Sequence, residues 1–179
     1  MKALFFDIDG TLVNKEGQLP DSARKALDQA RAKGHKLFLC TGRNEVQIYS
    51  FLKDYGFDGV VSAAGAMVSC EGKEIYHNFI GEEPLNRCID FFAGRPVIFG
   101  LQAASGNYMD KKSYQVFEDV AEKYHLDERV LKAVTNGMEI VDSLRGHRDV
   151  EKMFYFECPE SVEQVQQAVD PKGEAGEGK

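Results

Sequence analysis

The sequence has no tryptophan, only four cysteines and five prolines, and no lysine- or arginine-rich run among its 179 residues. It also lacks an apolar stretch of about 18 residues, which a membrane-spanning helix needs. The formal net charge is -7 at pH 7. Because an acidic surface repels a phosphate backbone, we expect no nucleic-acid partner, and the short apolar runs argue against insertion in a membrane.

The cysteines lie far apart and form no C-x-x-C pair; they are Cys40, Cys70, Cys88 and Cys158. This spacing favours reduced thiols in a cytoplasmic protein over a disulfide framework or a zinc site. A strand-like run follows directly after Met1 and Lys2, without a small-residue cleavage site. We therefore expect no signal peptide and a cytoplasmic location.

Apolar runs of strand length alternate with helical patterns in the first part of the chain, which is 43% apolar overall. The strand-like runs are Lys2 to Phe6, Lys36 to Cys40 and Gly59 to Ser62. A first helix begins at Pro20, and one further helix is indicated by Val46, Ile48, Phe51 and Leu52. This alternation predicts an α/β fold with an open, Rossmann-like parallel sheet.

The pattern changes after the third strand. A hairpin is predicted from Ala66 to Tyr76, and a separate α+β unit begins near Glu83. Its predicted elements are a helix at 85–92, strands at 97–103, 138–142 and 152–157, a helix at 114–124, and a last helix that begins with an S-x-x-Q capping box at Ser161. We predict domains at 1–82 and 83–169, and a disordered tail at 170–179 because its glycine, glutamate and lysine cannot form a core.

Two carboxylates follow the first predicted strand in the stretch F-F-D-I-D-G-T. Asp7 and Asp9 are two residues apart and point the same way if the strand continues, so their charges repel unless a cation lies between them. A hard divalent cation with oxygen ligands, Mg²⁺ above all, satisfies this requirement. Gly10 lets the backbone approach a ligand closely and offers an N–H to an anion.

Thr41, Gly42 and Arg43 follow the second predicted strand. Ligands of open parallel sheets bind beyond the carboxyl ends of the strands, where both groups of residues would lie. Thr41 supplies a hydroxyl, and a helix that begins after Gly42 would present its N-terminus to a phosphate. Two acids, a metal and a phosphate cradle together indicate phosphoryl transfer.

These motifs resemble the haloacid dehalogenase superfamily. The resemblance rests on D-x-D-G-T at 7–11, on K-L-F-L-C-T-G-R at 36–43 and on S-A-A-G-A at 62–66, and it covers the chain to about Val169. The last motif and the α+β unit resemble the Cof-type members, which are sugar-phosphate phosphatases with a large cap domain. The resemblance implies the N-terminal half of the superfamily's core domain, with an inserted cap.

The resemblance also implies a role for each candidate residue. Asp7 would be the nucleophile and form an aspartyl phosphate, and Asp9 would protonate the leaving alcohol and then activate water. Mg²⁺ would bind the Asp7 carboxylate and the Asp9 backbone carbonyl. Thr41 and the Gly42 N–H would hold the phosphoryl group, while Arg43 would contact the substrate or brace the loop.

The sequence departs from the family pattern in three places. It has no counterpart of the lysine that neutralises the phosphate or of the G-D-x-x-N-D segment that completes the metal site, so we interpret it as ending before the second half of the core. Ala64 stands where Cof-type members usually carry asparagine. Without the second half, Leu4 to Phe6 would lie on an unpaired edge that favours self-association.

Three functions are compatible with these observations. The first is a Mg²⁺-dependent phosphatase for a small phosphorylated metabolite, such as a sugar phosphate or a flavin-type phosphate. The second is a catalytically inactive fragment or pseudoenzyme that binds phosphate or metal weakly, which the absent lysine and acid segment favour. The third is a phosphomutase, since D-x-D-G-T and the same cap type also occur in phosphomannomutases.

Overall fold

A computed structural model describes residues 1–127, 131, 135 and 137–170. The chain divides into two compact units, of which the first spans Met1–Asn78 and the second begins at Phe79. The interpretation of these units as half of a core domain (1–82) and a cap (83–169) stays a prediction. The predicted disordered tail lies, apart from Asp170, outside the described residues.

The first unit contains a five-stranded sheet in the order β1-β2-β3-β4-β5. Its strands are β1 (Ala3–Phe6), β2 (Lys36–Cys40), β3 (Gly59–Ser62), β4 (Met67–Cys70) and β5 (Lys73–His77). The first three strands pair in parallel, as predicted, and β4 and β5 form the predicted antiparallel hairpin. The carboxyl ends of β1, β2 and β3 therefore lie side by side.

Two helices, α1 (Asp21–Ala32) and α2 (Ser50–Tyr55), belong to the first unit. Alternate residues of the parallel strands, such as Leu37 and Leu39, share one buried cluster with residues from both helices, such as Leu27 and Leu52. Burying an aliphatic side chain stabilises a fold by roughly 1.5–3 kcal/mol. This cluster fixes the strands whose ends carry the candidate site.

The prediction of one helix after β2 is wrong. The chain forms a 3₁₀ turn at Glu45–Gln47, runs extended through Ile48 and Tyr49, and only then enters the six-residue α2. In a continuous helix the Gln47 carbonyl would accept from the N–H four residues later. It instead accepts a hydrogen bond from the Arg43 guanidinium at 3.0 Å, which interrupts the helix.

The second unit has a four-stranded sheet in the order β8-β7-β6-β9. Its elements are α3 (Glu82–Phe92), β6 (Ile98–Ala103), β7 (Asn107–Asp110), α4 (Lys111–Lys123), β8 (Met138–Val141), β9 (Val150–Phe156) and α5 (Val162–Val169). The capping box at Ser161 is confirmed, since Ser161 and Gln164 exchange side-chain to backbone hydrogen bonds. The sequence pattern missed β7, which has four residues and runs directly into α4.

Two features of the surface bear on partners. β1 lies at the edge of its sheet, and Phe5 on this strand is 58% exposed although its ring stacks on Phe38 with the centroids 4.9 Å apart. Within the described part of the chain, no helix is long and apolar enough to cross a membrane.

Candidate functional site

The turn after β1 presents the two predicted acids to solvent. Ile8 is completely buried, and its carbonyl accepts hydrogen bonds from the N–H groups of residues 11–13 at 3.0–3.4 Å. Asp7, Asp9 and Gly10 are exposed. Gly10 has a φ of 75°, a left-handed conformation that L-residues adopt only at a cost. The buried Ile8 thus anchors a tight turn that carries both acids.

Asp9 is held by Arg43 from the end of the neighbouring strand. Arg43 donates from Nε to Asp9 Oδ2 at 2.7 Å and from Nη2 to Oδ1 at 2.8 Å. This is the two-pronged geometry that makes guanidinium–carboxylate pairs strong and directional. These hydrogen bonds lower the pKa of the Asp9 carboxyl below its ordinary value and outweigh the opposing effect of partial burial. The Asp9 side chain is therefore ionised at neutral pH.

The Arg43 guanidinium also makes hydrogen bonds to Gln47 and Tyr49. Its Nη1 donates to the Gln47 carbonyl at 3.0 Å, and its Nη2 donates to the Tyr49 hydroxyl at 3.1 Å. The guanidinium carbon lies 4.6 Å from the centroid of the Tyr49 ring, within the range of a cation–π interaction. The guanidinium therefore has a fixed position, and it faces Asp9 in this structure.

The loop after β3 is tied to the loop after β2. Ala63 donates its N–H to the Arg43 carbonyl at 2.7 Å, and Ala64 donates to the Thr41 carbonyl at 3.1 Å. Both alanines have positive φ angles, 49° and 58°. Such conformations cost of order 1–3 kcal/mol each and cluster at functional sites. The S-A-A-G-A motif thus holds the shape of the Thr41–Arg43 segment.

The phosphate-binding candidates occupy different environments. Thr41 is 5% exposed, and its hydroxyl oxygen accepts the Arg43 N–H at 3.1 Å, while Gly42 is exposed. The expectation that a helix N-terminus follows Gly42 is wrong, because a 3₁₀ turn of only three residues begins at Glu45. The structure joins Asp9, Arg43 and Thr41 through hydrogen bonds, and it puts Asp7 and Gly10 on the same turn as Asp9.

The site offers few protein oxygen atoms that could bind a metal ion. In the part of the chain that the structure describes, no group of three or more His, Cys, Asp and Glu side chains could hold a metal. Both carboxylate oxygens of Asp9 accept from Arg43, which leaves its backbone carbonyl and the Asp7 carboxylate as donors. Mg²⁺ commonly takes one or two carboxylates and completes its octahedron with water and substrate phosphate. The residues present are therefore compatible with Mg²⁺.

Sequence reasoning missed Tyr49 and the Gln47 carbonyl. Tyr49 lay inside a predicted helix, where an aromatic residue is ordinary, and only the break in that helix turns its ring towards Arg43. An attraction between Asp9 and Arg43 could have been predicted from the sequence, because residues of opposite charge follow two neighbouring parallel strands.

Comparison with known proteins identifies the family of the chain. A family model for haloacid dehalogenase-like hydrolases matches residues 4–175. A solved subclass IIB sugar phosphatase of the same superfamily is 28% identical, with a TM-score of 0.72, over 94% of this chain and 64% of that protein.

Two proteins of Bacillus subtilis (strain 168) are also similar. The 5-amino-6-(5-phospho-D-ribitylamino)uracil phosphatase YwtE is 24% identical over 166 residues, which cover 92% of this chain and 55% of that protein. Phosphatase YwpJ is 33% identical over 79 residues, 44% of this chain and 28% of that protein. The chain thus spans less than two thirds of the length of each relative. The resemblance first seen in D-x-D-G-T is confirmed, and the chain belongs to the haloacid dehalogenase-like hydrolase family.

Proposed function

We propose that the chain acts in the hydrolysis of phosphate monoesters of small metabolites, with sugar phosphates as the favoured class. The observation that carries this proposal is the ion pair between Asp9 and Arg43, which joins the turn that carries Asp7 and Asp9 to the end of the neighbouring parallel strand. Family membership supports the reaction class. The similarity to a sugar phosphatase and to a phosphatase for a ribityl phosphate supports a phosphorylated polyol or sugar as substrate.

Asp7 is the nucleophile in this proposal. Its exposed carboxylate attacks phosphorus, a bond forms between Asp7 oxygen and phosphorus, and the bond from phosphorus to the alcohol oxygen breaks. The leaving oxygen takes up a proton. Water then attacks the same phosphorus and loses a proton, the bond to Asp7 breaks, and inorganic phosphate leaves with the carboxylate restored.

Asp9 exchanges the protons of both steps in this proposal. The lowered pKa of its carboxyl favours the ionised form, which is the form that accepts a proton from water in the second step. Donation to the leaving alcohol in the first step needs the protonated form. Because Arg43 stabilises the carboxylate, this step requires the hydrogen bonds from Arg43 to lengthen while Asp9 carries its proton.

The phosphoryl group would be held by the exposed backbone at Gly10 and Gly42 and by the Thr41 hydroxyl. A contact between Arg43 and the phosphoryl group, predicted from the sequence, would require the guanidinium to turn from Asp9. Mg²⁺, held by the Asp7 carboxylate and the Asp9 backbone carbonyl, would neutralise phosphoryl charge.

One observation favours binding without turnover as a second candidate. Among the described residues, no group of three or more His, Cys, Asp and Glu side chains could hold a metal. A protein of this kind would bind phosphate or metal weakly and release no product. Asp7 would then never carry a phosphoryl group.

The experiment that separates the two candidates looks for the phosphorylated residue. The protein is incubated with an aryl phosphate and Mg²⁺, quenched in acid and digested. Phosphate on the peptide that contains Asp7 supports the phosphatase, and its loss in Asp7→Asn but not in Asp21→Asn assigns the residue. An unmodified peptide in the wild type, together with no release of inorganic phosphate, supports binding alone. Asp21, in the first turn of α1, is a matched control because it is an exposed acid of the same unit.

Location and self-association belong to the proposal as well. The four cysteines are free thiols, which supports the proposed cytoplasmic location. The edge position of β1 and the exposure of Phe5 support self-association through this strand. Sedimentation that shows a concentration-dependent oligomer, which Phe5→Lys disperses, would support this proposal. A monomer at all concentrations would remove it.

A further inference from the structure

We infer that Tyr49 is a positioning residue that holds the Arg43 guanidinium in the orientation in which it binds Asp9. The consequence for catalysis rests on the proposed function. The contact itself rests on the geometry of Arg43, Tyr49 and their neighbours.

Tyr49 contacts the guanidinium in two independent ways. Its hydroxyl accepts a hydrogen bond from Arg43 Nη2 at 3.1 Å, and the same nitrogen donates to Asp9 Oδ1 at 2.8 Å. Its ring lies 4.6 Å from the guanidinium carbon. Because Arg43 Nη2 donates to both groups, the Tyr49 hydroxyl and the Asp9 carboxylate together restrict the orientation of the guanidinium plane.

The Tyr49 side chain itself has two further neighbours, Phe51 and Gly17. It stacks on Phe51, with centroids 5.2 Å apart and planes 17° from parallel. The hydroxyl end of Tyr49 lies near Gly17, where an added Cβ would lie 3.3 Å from the Tyr49 hydroxyl oxygen. The turn around Gly17 is held by Asn14, whose side-chain oxygen accepts from the Glu16 and Gln18 N–H groups at 3.1 and 2.8 Å. Tyr49 thus has neighbours both in this turn and in α2.

Fixing an arginine side chain costs about 2 kcal/mol of rotamer entropy. If other contacts, here called the Arg43 bracket, already hold the guanidinium in place, the ion pair with Asp9 has less of this cost to offset. Tyr49 and the Gln47 carbonyl form that bracket, because they accept hydrogen bonds from two of the three guanidinium nitrogens, Nη2 and Nη1. Displacement of a catalytic group by about 1 Å can reduce a rate by 10²-fold. Removing Tyr49 therefore acts on Asp9 through Arg43 without touching either residue.

Tyr55 is a matched control in the same unit. An arginine also lies over its ring, with the Arg31 guanidinium carbon 4.7 Å from the centroid. The Tyr55 hydroxyl donates a hydrogen bond to Asp28 at 2.8 Å. Tyr55→Leu removes the same types of contact as Tyr49→Leu. A general loss of stability in the unit therefore affects both variants, whereas loss of the Arg43 bracket affects only one.

The first readout needs no activity. In the ¹⁵N spectrum of the full chain, the Arg43 Nε–H signal is assigned by its absence in Arg43→Lys, and its exchange with water is measured. We expect slow exchange in the wild type and in Tyr55→Leu, and exchange about tenfold faster in Tyr49→Leu. Tyr49→Phe, which keeps the ring, should lie between them. Equal exchange in Tyr49→Leu and the wild type would overturn the inference, provided that circular dichroism shows both folded.

The second readout separates positioning from substrate binding. With an aryl phosphate, Tyr49→Leu should lower kcat about tenfold, since the acid-base group is misplaced, and leave the affinity for inorganic phosphate unchanged. A fall in phosphate affinity at constant kcat would instead make Tyr49 part of the phosphate site and overturn the inference. If the wild type releases no phosphate, the proposed function fails while the exchange experiment still decides the role of Tyr49.

Discussion

The Asp9 carboxylate and the Arg43 guanidinium form a two-pronged ion pair, at 2.7 and 2.8 Å, across the ends of two neighbouring parallel strands. The pair joins the D-x-D-G-T turn to the T-G-R segment, and backbone hydrogen bonds from Ala63 and Ala64 join that segment to the loop after β3. The segments that follow β1, β2 and β3 are therefore held together by hydrogen bonds. Asp7, in the first of these segments, is exposed to solvent.

Replacing Arg43 by lysine tests whether the forked geometry matters. Lysine keeps the charge but cannot make both hydrogen bonds to Asp9. We expect Arg43→Lys to lower kcat for an aryl phosphate by about 10- to 100-fold, because Asp9 loses its orientation. Arg31→Lys is the control, since Arg31 donates to the carbonyls of Tyr55 and Gly56. A kcat for Arg43→Lys equal to that of the control would contradict this expectation.

Replacing Ala64 by glycine should stabilise the first unit. Ala64 has φ 58° and ψ 31°, a left-handed conformation that costs an L-residue about 1–2 kcal/mol. The greater freedom of glycine in the unfolded chain offsets about 0.4–1 kcal/mol of this gain. We expect a net increase of about 0.5–1 kcal/mol in the free energy of unfolding, measured by urea denaturation. A decrease would mean that the alanine methyl makes a contact worth more than the strain.

Gly59 should tolerate no side chain. A Cβ at this position would lie 2.3 Å from the Ser69 carbonyl oxygen of β4 and 2.8 Å from the Phe38 ring. Because one of these atoms belongs to the backbone, the sheet must shift, and we expect Gly59→Ala to destabilise the first unit by about 1–3 kcal/mol. Unchanged thermal unfolding of Gly59→Ala would contradict the packing described for β3.

Asp58 should make stability depend on acid pH. Hydrogen bonds from Lys36 Nζ at 2.8 Å and from the Leu37 N–H at 2.9 Å lower its pKa below the ordinary 3.8. A depressed folded-state pKa means that this stabilisation is present above the unfolded-state pKa and is lost as the pH falls through the folded-state value. We expect Asp58→Asn to flatten the fall in the free energy of unfolding that begins as the pH decreases towards 3.8 and continues below it, measured by urea denaturation. Lys36→Met should flatten it in part, and an unchanged slope in both variants would contradict this assignment.

Much of the fold followed from local patterns. The strands β2 and β3 agree with their predicted limits, because buried parallel strands appear as continuous apolar runs. The capping box was predicted because its two residues, Ser161 and Gln164, are only three positions apart in the sequence. The break before α2 was missed because its cause is a side chain: Arg43 takes the Gln47 carbonyl that a helix would have used.

The position of the candidate residues at neighbouring strand ends could be predicted from the sequence, but their contacts could not. Asp7 and Asp9 were identified because they follow an apolar run of strand length, which the structure shows as β1. That Arg43 binds Asp9, and that Tyr49 holds Arg43, depends on the register of two parallel strands and on an irregular turn. Neither appears in a hydrophobic pattern.

The measurement that tests the central claim most directly is the rate of phosphate release from an aryl phosphate, with Mg²⁺ and with a chelator, for the wild type, Asp7→Asn and Asp21→Asn. We predict release that requires Mg²⁺, disappears in Asp7→Asn and survives in Asp21→Asn. Release by Asp7→Asn at the wild-type rate, or none by folded wild-type protein with Mg²⁺, would contradict the claim that Asp7 accepts the phosphoryl group.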